Sequence, residues 1–128
     1  MVKFLCLGSG SSGNSYFLTT GTTSILVDAG LSMRALKKTL QSNGFELNKV
    51  KAVLITHDHA DHIKAVGNLA NDLNIPVYAT QEVHLGINRN YCVTSKITEK
   101  HMRIINKEVP FTIDDFTVKA FQVPHELP

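Results

Sequence analysis

The stretch that most restricts this chain is Val50-Lys51-Ala52-Val53-Leu54-Ile55, an apolar run that ends on Thr56 and then on His57-Asp58-His59-Ala60-Asp61-His62. A short apolar run of this kind predicts a buried strand. Beyond the cluster, Ile63, Val66, Leu69, Ala70 and Leu73 recur at helical spacing and predict the apolar face of a helix. The chain therefore leaves a sheet, presents three histidines and two aspartates within six residues, and turns directly into a helix. In open α/β folds, functional groups gather in the crevice beyond such strand ends.

The flanking sequence supports the same class. Val2 to Leu7 predicts a buried strand that runs into the turn Gly8-Ser9-Gly10-Ser11-Ser12-Gly13-Asn14. Ser15 to Thr20 and Thr23 to Val27 flank Thr20-Gly21-Thr22 and predict a hairpin, the second strand ending on Asp28-Ala29-Gly30. Ser32 is placed to cap a helix carrying Met33, Leu36 and Leu40, which Asn43-Gly44 closes. Val77 to Ala79 predicts a strand, and Thr80 caps a short helix through Leu85. Residues 88–100 are polar and carry no clear periodicity. Met102 to Ile105 and Phe116 to Val123 read as strands around a turn at Asp114-Asp115. Strands and helices interleave, so the class is α/β (α+β by some schemes), with a sheet covered by helices on one side.

Composition narrows the function. With 128 residues, 43% of them hydrophobic, the chain is expected to form a single domain over 1–128 with a real core. The net charge of +2 is spread out, which neither demands nor excludes a nucleic-acid partner. No apolar stretch reaches the length of a signal peptide or a membrane span, so a cytoplasmic protein with no membrane contact is expected. Cys6 and Cys92 are too few and too far apart for a disulfide framework or a metal pair, and reduced thiols are expected.

Imidazole and carboxylate are the ligands of zinc, manganese and iron sites. His57 and His59, on alternate positions past a strand, can be aimed at one ion. Asp61 and His62, where the helix begins, can face a second. Two ions about 3.5–4 Å apart clamp the attacking and leaving oxygens of a hydrolysis. From this chain's own composition a chance H-x-H-x-D-H has a probability on the order of 10⁻³. A solvated helix start needs one cap, which Thr56 or Asp58 already offers, and no run of histidines.

The strand followed by H-x-H-x-D-H resembles the metallo-β-lactamase fold superfamily. Gly8 to Ser15, Ile25-Leu26-Val27-Asp28-Ala29-Gly30 and Leu54 to Lys64 look like its YycJ/WalJ branch. The resemblance runs in order from the first strand to His125. It implies an αββα sandwich of which this length supplies the first βα half. It also implies a metal-dependent hydrolase with phosphodiesterase or DNA exonuclease chemistry, using a metal-bound hydroxide at a centre of two divalent ions. By the same resemblance His57, His59 and His125 hold the first ion. Asp61 and His62 belong to the second, with Asp61 also orienting the nucleophile. Asp28 either braces the histidine loop from behind or is simply a turn residue before Ala29-Gly30. Taken without the resemblance, His125 after Pro124 is a surface histidine.

The Gly8–Ser15 loop lacks the ending of a P-loop, and a tight connection under the metal site is the simpler reading. Ser11, Ser12 and Asn14, with Lys64 one turn into the helix, are candidate substrate contacts. His84 and His101 fall outside the motif order and are expected at the surface.

The superfamily places a bridging aspartate and a final histidine downstream of His125, and this sequence stops three residues after it. A truncated piece of a longer enzyme is the favoured expectation. A natural short form, or self-association or a partner chain that covers the exposed sheet face, are the alternatives. Thioester or lactone hydrolysis, and a non-catalytic metal-binding module, are the competing functions.

Overall fold

The computed structural model describes residues 1–121. Strands β1 (Lys3–Gly8), β2 (Ser15–Thr19) and β3 (Ser24–Val27) form an antiparallel meander, with Phe4 opposite Leu18 and Phe17 opposite Leu26. Helix α1 (Met33–Ser42) then carries the chain back to β4 (Ala52–Leu54), which pairs parallel to β3. Two helical segments, α2 (Ala60–Ile63) and α3 (Val66–Leu73), lead to β5 (Val77–Ala79). Helix α4 (Gln81–Arg89) and a loop lead to β6 (Met102–Ile104). The sheet runs β1-β2-β3-β4-β5-β6, with parallel pairing from β3 onward. Parallel neighbours need crossovers, and the helices supply them.

Register decides what each face buries. Phe17, Leu26, Val53 and Val77 are successive partners across the sheet and share one face. They pack with Leu36, Leu40, Ile63, Val66, Leu69 and Ile87 from the helices to make the main core. Each such side chain contributes about 1.5–3 kcal/mol when fully buried. The helices thus cover one side of the sheet, as expected.

Leu18, Ile25, Ala52, Leu54 and Tyr78 lie on the other face. There a separate hairpin, β7 (Phe111–Ile113) with β8 (Phe116–Val118), supplies Phe111, Ile113, Phe116 and Val118. Tyr78 stacks on Phe111 with ring centroids 5.4 Å apart. The hairpin tip is tied down by polar contacts. The Thr23 hydroxyl donates to Asp114 at 3.1 Å, the Thr22 hydroxyl to Asp115 at 3.2 Å, and Lys51 pairs with Asp114 at 3.1 Å. The Thr20 hydroxyl, foremost among several donors, holds the Asp115 carboxyl below its ordinary range. Among the described residues the cover stops short of Phe4, which stacks on Tyr16 and is 59% exposed.

Several expectations need correction. β1 is an edge strand rather than a buried one. Among the described residues it has β2 as its sole neighbour, and Lys3, Phe4 and Cys6 are exposed. The helix after the cluster is broken at Lys64-Ala65, because the Ala65 amide donates to the Ala29 carbonyl at 2.9 Å instead of continuing the ladder. Helix α4 continues past Leu85 to Arg89. β8 pairs with β7 and ends at Val118, while residues 122 and 123 of the expected strand lie outside the described residues.

Candidate metal centre

Asp28 follows β3 directly and Thr56-His57 come one residue beyond β4, so the ends of two parallel strands deliver them to one place. Asp28 is 3% exposed and sits at φ 64°, a left-handed conformation that aspartate tolerates better than most residues. Its Oδ1 accepts the Thr56 amide at 2.8 Å. Its Oδ2 accepts the Thr56 hydroxyl at 2.7 Å and lies 2.8 Å from His62 Nδ1. An ionised carboxylate only accepts, so His62 Nδ1 carries the proton and Nε2 keeps a free lone pair. The Thr56 hydroxyl has one hydrogen, spent on Asp28. Its oxygen, 2.8 Å from His57 Nδ1, therefore accepts, and His57 too presents a bare Nε2. One buried carboxylate thus sets the tautomer of two histidines, directly and through a hydroxyl.

The three imidazoles of the cluster converge. Ring centroids lie 4.7 Å apart for His57 and His62, 5.7 Å for His57 and His59, and 6.4 Å for His59 and His62. His57 and His59 face solvent, whereas His62 is largely covered. His59 occupies the position that caps α2, but its side chain makes no capping bond, and Thr56 turns to Asp28 instead. The histidines are therefore not present to start the helix. Asp61 directs Oδ1 toward His62 Nε2 at 3.8 Å, while Oδ2 accepts the Asn14 side-chain amide at 3.1 Å.

Among the described residues, Asp28, His57 and His62 offer potential ligand atoms that all lie within 4.8 Å of one another. That Asp28 belongs to this group does not make it an open ligand, because its oxygens are already engaged by Thr56 and His62.

Backbone bonds knit three segments around this point. The Asn14 amide donates to the Asp61 carbonyl at 2.7 Å, Gly30 to Asn14 at 2.9 Å and Ala29 to His62 at 2.7 Å. The glycine-serine loop does pass under the cluster. Gly30 is required there, since a Cβ would collide with the Asp61 carbonyl. A side chain at Gly86 would likewise strike the carboxylate of Asp58, whose carbonyl accepts from Asn90 at 3.2 Å. A groove of about 1000 Å³ opens beside Asp28, His57 and His62, walled by Tyr16, Leu54, Val118 and Phe121, with Lys107 and Lys119 at its margin.

Ser11, Ser12 and Lys64 are exposed, as substrate contacts would need to be. Asn14 is not free in that way, because its amide is engaged within the protein. His125 lies outside the described residues. The two histidines expected at the surface are buried instead. His84 reaches the Arg103 carbonyl at 2.9 Å, and His101 bridges Thr98 and Asn74 at 3.2 and 3.1 Å. Both are interior polar links between elements, a role their sequence neighbours do not announce. Sequence reasoning overlooked Thr56 as the relay to His57, although a hydroxyl directly before the cluster was a visible signal.

A mixed sheet with helices on one face and an H-x-H-x-D-H loop at its strand ends defines the metallo-β-lactamase fold. The solved Rm3 metallo-beta-lactamase superposes with a TM-score of 0.74 at 22% identity, over 92% of this chain and 48% of that one. A family model described as the Beta-lactamase superfamily domain matches residues 23–128, and the chain belongs to that superfamily. Within it, the chain is 35% identical over 97% of its length to the exodeoxyribonuclease WalJ of Streptococcus pneumoniae. It is 33% identical over 98% of its length to the exodeoxyribonuclease YycJ of Bacillus anthracis. The chain spans about half, 46%, of the length of these curated relatives. No helix of the described residues is long and apolar enough to cross a membrane.

Proposed function

We propose that the chain carries the metal-binding half-site of a cytoplasmic phosphodiester hydrolase acting on DNA. The observation that supports this reading is the pair of bare Nε2 atoms on His57 and His62, prepared by one buried carboxylate. Imidazole with a fixed tautomer, backed by a carboxylate, suits zinc, and manganese or iron are the alternatives. The donor set therefore fits divalent ions. His57 and His59, with His125, would hold one, and Asp61 and His62 a second. Such ions, when bound, supply Lewis acidity at a phosphate and make water a nucleophile near neutral pH. The chain's own residues do the rest. Asp28 and Thr56 hold the imidazoles, Asp61 stands where it can accept a proton from an attacking water, and exposed Ser11, Ser12 and Lys64 offer contacts to substrate. The names of WalJ and YycJ favour DNA over a thioester or lactone.

The test is metal analysis of the chain purified without a histidine tag, alongside His57→Ala. At least one zinc or manganese per chain, lost in the variant, together with hydrolysis of a DNA end or of a model phosphodiester, is expected. A chain that binds no metal in either form refutes the reading. One ion per chain with no turnover of diesters or esters supports a binding module instead.

A further inference from the structure

We infer that Asn14 is a positioning residue for Asp61, and that the glycine-serine loop exists to deliver it. This inference rests on the metal-centre reading above. Asn14 uses every polar group it has. Its Oδ1 accepts the Gly10 amide at 3.0 Å and its Nδ2 donates to the Gly10 carbonyl at 2.9 Å. This pair fixes which end of the side chain is nitrogen, because a flipped amide would set donor against donor and acceptor against acceptor. The same Nδ2 reaches the Asp61 carbonyl at 3.2 Å and Asp61 Oδ2 at 3.1 Å. The Asn14 backbone amide donates to that carbonyl too, at 2.7 Å, and the Asn14 carbonyl accepts from Gly30. Residue 14 is therefore anchored at both ends before it touches the carboxylate.

The consequence falls on Asp61. Of its two oxygens, Oδ2 is occupied by a neutral donor and Oδ1 is turned to His62 Nε2, the atom that Asp28 leaves bare. Without the amide the carboxylate could rotate about its Cβ–Cγ bond, and neither oxygen would be distinguished. The loop Gly10–Gly13 makes the contact possible. Gly10 and Gly13 both adopt positive φ, 108° and 148°, and a Cβ at Gly13 would come within 2.7 Å of the Gly30 carbonyl. On this view the loop resembles a phosphate cradle in composition only. The side-chain amide that it delivers, that of Asn14, is spent on a protein carboxylate.

The test uses the full chain and zinc alone as the probe, with calorimetric titration of the wild type, Asn14→Ala, Asn14→Asp, Asp61→Ala and the double variant Asn14→Ala/Asp61→Ala. Circular dichroism melts of the metal-free proteins are run beside it. Loss of a partner that orients a ligand lowers metal affinity by roughly 10- to 100-fold, and that loss is expected for both single changes at Asn14. The double variant should bind no more weakly than Asp61→Ala, because Asn14 acts through Asp61. Unchanged affinity in both Asn14 variants overturns the inference. So does a double variant whose losses simply add, which marks a general structural role. A wild type that binds no zinc refutes the metal centre itself and is recognised before any variant is compared.

Discussion

Replacing Asp28 by Asn isolates what its charge does. Both residues accept the left-handed backbone that φ 64° demands, so the main chain is left in place. The side-chain volume is nearly unchanged. Oδ1 can still accept the Thr56 amide as a carbonyl oxygen. The atom replacing Oδ2 now donates, yet it faces the Thr56 hydroxyl at 2.7 Å and His62 Nδ1 at 2.8 Å, both of which were donors. Two charge-assisted bonds are lost in a site where the residue is 3% exposed. At roughly 1.5–3 kcal/mol each, partly recovered by rotation of the hydroxyl, the net loss is about 3 kcal/mol. For a domain of this size that lowers Tm by about 10 °C. The imidazole responds as well. To pair with the new N–H, His62 must move its proton from Nδ1 to Nε2, which blocks the atom proposed to bind metal. Zinc affinity should fall 10- to 100-fold. Thermal melts of metal-free protein measure the first effect and zinc titration the second. A variant that melts within about 1 °C of the wild type, or that binds zinc equally well, refutes the account of Asp28 as the brace for both histidines.

Two further outcomes follow from packing. Gly30→Ala places a Cβ against the Asp61 carbonyl, so it should displace the 61–62 backbone and abolish zinc binding, even where circular dichroism still reports a folded sheet. Leu69→Ala, in the core and away from the cluster, should cost about 2–5 kcal/mol in urea unfolding and leave zinc affinity unchanged below the transition.

Much of this molecule is legible in its sequence, where local chemistry and global fold agree. Ser32 caps α1 through the Ala35 amide, Val77–Ala79 is a strand, and Thr20-Gly21-Thr22 turns a hairpin, each for reasons contained in a few residues. The cluster at 57–62 is legible because so many potential ligands rarely fall together. What is hidden depends on partners distant in sequence. β1 reads as buried from its apolar content, but strand order puts it at the edge. The break between α2 and α3 comes from a carbonyl 36 residues earlier, that of Ala29, while the apolar stripe passes through it undisturbed. His84 and His101 become interior because α4 and the 98–101 turn happen to meet carbonyl and amide acceptors. Asn14 has a substrate-contacting profile in a glycine-serine loop, and only the fold shows that its amide is committed to Asp61.

The main-chain bonds that join Asn14 and Ala29 to Asp61, His62 and Ala65, and Gly30 to Asn14, carry a lesson about inheritance. None of them is made by a side chain, so, Gly30 apart, a substitution need not remove them. All of them depend on chain length, because they close only when residues 14, 29–30 and 61–65 arrive in step. A one-residue insertion or deletion at 28–30 or within 61–65 would unfasten the centre while keeping every histidine. Across diverging copies of such a chain, the distances between these landmarks should therefore be guarded in the β-strand ends and released in α1 and the loop after it, where slack can be absorbed. A six-residue motif transplanted without its two distant clasps would carry the ligands and lose the site.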